Sequence, residues 1–160
     1  MLQISEIYQS IQGEGEFTGA PSVFVRTTGC NLRCWFCDTP FTSWEPEGTS
    51  QSVEQVLKQV AELGAEHVVV TGGEPLLLPD IVPLTAELRS RGHFVTVETA
   101  GTVLREATAD LMSISPKLAN STPGVERSRV WSLRHEELRH RPDVIRSLIS
   151  ASPYQLKFVI

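Results

Sequence analysis

All three cysteines of the chain fall in one short window, Cys30-Asn31-Leu32-Arg33-Cys34-Trp35-Phe36-Cys37. An odd number cannot form a closed set of disulfides, and thiolates converging from one loop suit iron–sulfur clusters or zinc. The spacing supplies three ligands, whereas a cubane cluster has one iron more than that. The iron left over can chelate a substrate or cofactor, which sets such a site apart from an electron-transfer ferredoxin. The alternative is zinc completed by a histidine, but His67, His93, His135 and His140 all lie away from the loop and at no finger-like spacing. Inert buried thiols fit less well, because Asn31, Arg33 and Asp38 make the loop polar. Trp35 and Phe36 are expected to shield a cluster from water and tune its potential. The histidines stand in no motif and are expected in surface or core roles.

The elements that must hold this loop follow from periodicity, which predicts an α/β protein. Residues 22–27 alternate as a strand that runs straight into the cysteines. Residues 49–52 can cap a helix whose apolar positions are Val53, Val56, Leu57, Val60 and Ala61, with Gly64 ending it. Val68-Val69-Val70 is a short buried strand ending at Gly72-Gly73, and Pro79-Asp80 opens a second helix reaching Gly92. Strands are expected at 94–97 and 111–114, the latter reached through a helix over 103–109, then a loop at 120–124, a helix at 143–150 and a strand at 154–160. Strands alternating with helices imply parallel pairing by right-handed crossovers, with ligands at the carboxyl ends of the strands.

Composition narrows the function classes. The 160 residues carry a net charge of −5 and no run of Lys and Arg that could track phosphates, so a nucleic-acid partner is not expected. No apolar stretch nears the roughly 20 residues of a membrane span, and the N-terminus lacks the regions of a signal peptide. A cytoplasmic protein forming one domain over 1–160 is expected, with a small-molecule partner. The chain stops inside an apolar strand, so a C-terminal continuation is expected as well.

Cys30-x3-Cys34-x2-Cys37 strongly resembles the signature of the radical S-adenosylmethionine superfamily, and Val70-Thr71-Gly72-Gly73-Glu74-Pro75 stands where that superfamily has a glycine turn at the cofactor's amino acid end. The resemblance implies a 4Fe–4S cluster on Cys30, Cys34 and Cys37, chelation of S-adenosylmethionine by the open iron, and a partial (β/α) barrel. A narrower resemblance runs through the whole chain. Tyr8-Gln9-Ser10-Ile11-Gln12-Gly13-Glu14-Gly15, Phe24-Val25-Arg26, Cys37-Asp38-Thr39, Val97-Glu98-Thr99, Ile114-Ser115-Pro116-Lys117 and Leu156-Lys157-Phe158-Val159 are similar, in order, to the 7-carboxy-7-deazaguanine synthase family.

That resemblance implies a ring contraction of 6-carboxy-5,6,7,8-tetrahydropterin with loss of ammonia, a lyase reaction on the way to queuosine. It places Ile11, Gln12, Gly13, Glu14, Arg26 and Thr71 on the substrate, Gly73, Ser115, Pro116 and Lys117 on S-adenosylmethionine, and Thr39 on a Mg2+ ion. Arg26 offers a planar fork for a carboxylate, and Gln12 and Glu14 suit the donor and acceptor edge of a pterin. Glu98, at a strand end, is expected either on a cofactor ribose or as a cap of the following helix. The family also implies a reductant protein such as flavodoxin or ferredoxin, and a homodimer. Two other classes remain open at this point: a glycyl-radical enzyme activase, which shares the cysteine spacing, and a non-catalytic zinc-binding module.

Overall fold

A computed structural model describes residues 1–160. Seven strands form one sheet: β1 (Leu2–Ile11), β2 (Pro21–Thr27), β3 (Thr49–Gln51), β4 (His67–Gly72), β5 (Phe94–Thr99), β6 (Leu111–Ile114) and β7 (Tyr154–Leu156), in the order β3-β1-β2-β4-β5-β6-β7. From β2 to β7 every neighbour is parallel, as expected of a partial barrel, while β1 pairs antiparallel with both β2 and β3. The helices are α1 (Pro40–Ser43), α2 (Val53–Leu63), α3 (Ile81–Ser90), α4 (Val125–Leu138) and α5 (Pro142–Ala151).

The period of two along each strand divides the sheet into unlike faces. Val23, Val25, Val68, Val70, Val95, Val97, Met112 and Ile114 enter one core, which also takes Val56, Leu57 and Val60 of α2, Leu84 and Leu88 of α3, and Val144 and Leu148 of α5. The opposite face carries Arg26, Thr71, Thr96, Glu98 and Ser113. Because Arg26 is level with Thr71, and Val70 with Val97, the polar residues of β2, β4 and β5 line up at the carboxyl ends of their strands.

Ser52 caps α2 through a reciprocal box with Gln55, and Gly64 ends it at φ 72°, as the sequence predicts. Residues 49–51, grouped with that cap by sequence, instead form β3. The helix expected over 103–109 is absent. Ala107 and Ala109, two apart, both enter the core, which suits extended chain, and Arg105 Nε donates to the Leu76 carbonyl at 2.6 Å. The last strand stops at Leu156 rather than 160, although Lys157 N still donates to the Ile114 carbonyl at 2.8 Å. No helix is long and apolar enough to cross a membrane.

Two histidines take the core roles expected of them. His67 bridges Ser22 Oγ and Thr96 Oγ1, each at 2.8 Å, beneath Phe17 and Phe94. Burial holds its pKa below the ordinary 6.5. The unfolded chain therefore binds a proton more readily than the folded one, so the stability His67 contributes is complete above about pH 6.5 and lost as pH falls through its folded pKa. Urea midpoints taken on either side of that range are expected to drop more in the parent than in His67→Gln. An equal drop would assign the acid sensitivity elsewhere.

Candidate active site

The cysteine loop begins where β2 ends and is fixed by hydrogen bonds of its backbone and of its polar side chains. Asn31 Nδ2 donates to Thr102 Oγ1 at 3.1 Å, Trp35 N to the Ser121 carbonyl at 3.1 Å, and Trp44 Nε1 to the Cys34 carbonyl at 3.0 Å. Arg33 Nη1 donates to the Cys30 carbonyl at 2.7 Å. Arg33 N donates to His135 Nδ1 at 3.1 Å, so His135 Nε2 carries the proton and faces Ser121 Oγ at 2.9 Å. Both nitrogens of the one histidine that reaches the loop are thereby engaged, which removes it as a fourth zinc ligand. No group of three His, Cys, Asp or Glu side chains is placed to hold a single ion.

The donor set fits a cluster instead. Cys34 is buried and Cys30 and Cys37 are half-buried, packed with Leu32, Phe36, Ala100 and Leu138. Leu32 N donates to Cys30 Sγ at 3.4 Å, and Ser43 Oγ lies 3.2 Å from Cys37 Sγ, contacts of the kind that tune cluster potentials. Burial pushes the Cys30 thiol up to about 12 and the Cys34 thiol up to about 11, so these groups need the charge of bound iron to become thiolates. Phe36 shields the loop as expected. Trp35 does not: it is 58% exposed, its indole donating to the Asn120 carbonyl.

The glycine turn lies directly against this loop. Glu74 N donates to the Gly29 carbonyl at 2.9 Å, and a Cβ on Gly73 would strike the Gly29 and Thr42 carbonyls. Glu74 itself is fully buried and accepts from Thr99 Oγ1, Ala100 N and Leu76 N, tying β4 to the end of β5. Burial raises its pKa despite these bonds. Lys117 Nζ donates to Ser115 Oγ at 2.8 Å, and its charge favours the Cys34 thiolate, so Ser115 and Lys117 flank the cysteines; Pro116 between them is buried. Thr39 Oγ1 sits 3.9 Å from Cys37 Sγ and 3.5 Å from Asp38 Oδ1.

Glu98 gathers most of the remaining candidates. It accepts from Gln12 Nε2 at 3.3 Å, Thr71 Oγ1 at 2.8 Å and Lys157 Nζ at 3.3 Å, and Lys157 also reaches Glu14 Oε2 at 3.0 Å. Burial works against the Lys157 ammonium, but Glu98 and Glu14 outweigh it and raise its pKa. No helix follows Glu98, so it is not a cap. Lys157, just past β7, received no role from the sequence. Arg26 is held by Glu6 Oε1 and Tyr8 OH, both at 2.7 Å, outside the Glu98 group. Ile11 is exposed at the end of β1 and a Cβ on Gly13 would meet nothing within 4 Å; no side-chain hydrogen bond joins either to the others.

Residues 24–122 match the family model of the radical SAM superfamily. The chain belongs to that superfamily. Over 99% of its length it is 54% identical to the 7-carboxy-7-deazaguanine synthase of Rhodopirellula baltica and 49% identical to that of Halobacterium salinarum. It spans 62% and 64%, respectively, of the length of these relatives. The solved structure of QueE from Escherichia coli superposes with a TM-score of 0.66 at 28% identity, covering 99% of this chain and 84% of that one.

Proposed function

We propose that the chain takes part in the radical ring contraction of 6-carboxy-5,6,7,8-tetrahydropterin to 7-carboxy-7-deazaguanine, with release of ammonia, as a lyase of queuosine biosynthesis. The observation that carries this is the convergence of Gln12, Thr71 and Lys157 on Glu98, on the strand-end rim that also bears the three-thiol loop. A 4Fe–4S cluster with S-adenosylmethionine supplies reductive cleavage of the sulfonium bond, and with it hydrogen-atom abstraction, when bound.

Cys30, Cys34 and Cys37 hold the cluster, Gly73 leaves room for the methionyl end of the cofactor, and Ser115, Pro116 and Lys117 line the rest of it. Ile11, Gln12, Gly13, Glu14 and Thr71 border the pterin. Glu98 keeps Gln12 and Thr71 oriented, and Lys157 balances its charge. Arg26, with Nε and one Nη2 proton committed to Glu6 and Tyr8, keeps its Nη1 protons free for the substrate carboxylate. Thr39, beside Asp38, offers a hydroxyl to a Mg2+ ion whose other positions go to water and substrate oxygens. The electron comes from a donor protein of the flavodoxin or ferredoxin type.

The test is an anaerobic assay of the reconstituted protein with the carboxypterin, S-adenosylmethionine and a strong reductant, scoring the deazaguanine by mass. Formation of 5′-deoxyadenosine without deazaguanine would leave the superfamily chemistry standing and remove the substrate. Arg26→Lys is expected to weaken carboxypterin binding by roughly 10–100-fold, the value of a lost charge-assisted bond, with S-adenosylmethionine binding unchanged. Unchanged carboxypterin affinity would make Arg26 a purely structural partner of Glu6. Thr39→Ala is expected to flatten the response of turnover to added magnesium while the cluster spectrum stays the same. A retained magnesium response would transfer the ligand role to Asp38.

A further inference from the structure

The loop between β1 and β2, which carries Gln12, Gly13 and Glu14, folds back across the polar face of the sheet. Backbone bonds close its base, from Gln12 N to the Ala20 carbonyl at 2.9 Å and from Gly19 N to the Gln12 carbonyl at 2.8 Å. Phe17 anchors its far side against the rings of His67 and Phe94, with centroids 5.2 Å and 4.7 Å apart. Between these anchors the backbone of residues 13–17 makes one hydrogen bond to another element. Glu16 N donates to Gln155 Oε1 at 2.9 Å, across 139 positions of sequence. The remaining bonds are local, from Glu14 N to Gln12 Oε1 and from Thr18 to the Gly15 carbonyl. Gln155 is itself held from the other end: it lies level with Ser113 in the β6–β7 ladder, and its Nε2 donates to the buried Ser113 Oγ at 2.8 Å. The loop makes room for it at Gly15, where φ is 77° and a Cβ would strike the Gln155 carboxamide. The neighbouring ion pair of Glu14 with Lys157 holds the loop weakly, because the Glu14 side chain is 73% exposed and its charge is screened by solvent.

We propose that Gln155 is a positioning residue for substrate binding: it ties the loop bearing Gln12, Gly13 and Glu14 to β6 and β7 and keeps that loop over the strand-end rim. The proposal deepens the pterin reading and rests on it for the identity of the ligand. Its physical content is a population. A ligand binds a protein with an apparent affinity reduced by the fraction that stands in the competent arrangement, so loosening the loop weakens binding. Once substrate is seated, its own contacts with Gln12 and Glu14 hold the loop in place. The bond from Gln155 therefore acts on KM for the substrate and leaves kcat unchanged. S-adenosylmethionine, assigned to Gly73 and to residues 115–117, does not depend on it.

The test compares the reconstituted parent with Gln155→Leu, which keeps the bulk beside Gly15 and deletes both hydrogen bonds, and with Gln155→Glu, which still accepts from Glu16 N and can accept from Ser113 Oγ. Amide hydrogen exchange is read first, without substrate. In Gln155→Leu the Glu16 amide is expected to exchange roughly 3–10-fold faster, the value of one neutral hydrogen bond, while the Gln12 and Gly19 amides at the base keep their protection. Gln155→Glu should restore most of the Glu16 protection. In the anaerobic assay KM for the carboxypterin should rise by a similar factor in Gln155→Leu, with kcat and KM for S-adenosylmethionine unchanged and Gln155→Glu close to the parent. Equal Glu16 exchange in parent and Gln155→Leu would overturn the proposal. So would a fall in kcat at constant carboxypterin KM, or a Gln155→Glu protein as impaired as Gln155→Leu. A parent that never turns over the carboxypterin would remove the pterin reading instead, and the exchange of Glu16, which needs no substrate, would still decide whether Gln155 holds the loop.

Discussion

Replacing Cys34 by alanine is expected to abolish S-adenosylmethionine cleavage while leaving the cluster-free fold in place. The two effects separate because the bonds that shape the loop, from Trp44, from Asn31 to Thr102 and from Arg33 to His135, involve no sulfur of Cys34. What is lost from the buried site is a single atom, costing about 1 kcal/mol through the small void it leaves. Its cost to the cluster is of another order. A residue that merely orients a metal ligand is worth roughly 10–100-fold in affinity or activity, and removal of the ligand itself exceeds that. Iron content and the brown absorbance near 400 nm should fall together, with the thermal midpoint of the cluster-free protein almost unchanged. Full iron and full cleavage in the variant would sink the assignment of Cys34 to the cluster.

The sequence displayed this site clearly because its chemistry is local. Three thiols within one loop need no tertiary information to be recognised, and a glycine pair after an apolar strand marks a close backbone approach, here to Gly29. The parallel strands were equally legible, since Val68-Val69-Val70 has only one plausible burial. What escaped was long-range or irregular. The strand β1 was hidden by a bulge between Ile4 and Glu6, which breaks the period of two just where its polar half begins. The helix α4 was hidden because it bends at Ser128 (φ −169°, ψ 109°) and buries only His135, leaving Val130 and Leu133 outside. Glu98 and Lys157 are 59 positions apart, and nothing in their own neighbourhoods says that they meet. Their meeting depends on the order β5-β6-β7 in the sheet, a property of the fold rather than of either segment.

Substituting alanine in the glycine turn is expected to damage the fold and the cluster together. Gly72 adopts φ 143°, open to glycine and strained for any other residue, and a Cβ there would strike the backbone of Thr27 in β2. At Gly73 the added methyl meets two carbonyls, of Gly29 and Thr42, and both are held: Gly29 N donates to the Thr42 carbonyl at 2.8 Å, and Glu74 N to the Gly29 carbonyl. Neither obstacle is a side chain that can swing aside, so the turn must move away from the loop that carries Cys30. Backbone strain and overpacking together amount to about 2–4 kcal/mol, which for a chain of this size lowers the melting temperature by roughly 5–15 °C. Iron content should fall with it, because the displaced segment begins one residue before the first ligand. Gly13→Ala supplies the contrast. Nothing lies within 4 Å of a Cβ at that position and its φ is ordinary, so the fold should be unaffected or gain a few tenths of a kcal/mol. Any loss of carboxypterin affinity in Gly13→Ala then reports on substrate contact alone. Stability losses of equal size in Gly13→Ala and Gly73→Ala would mean that the turn tolerates a side chain and that its glycines do not set the position of the cysteine loop.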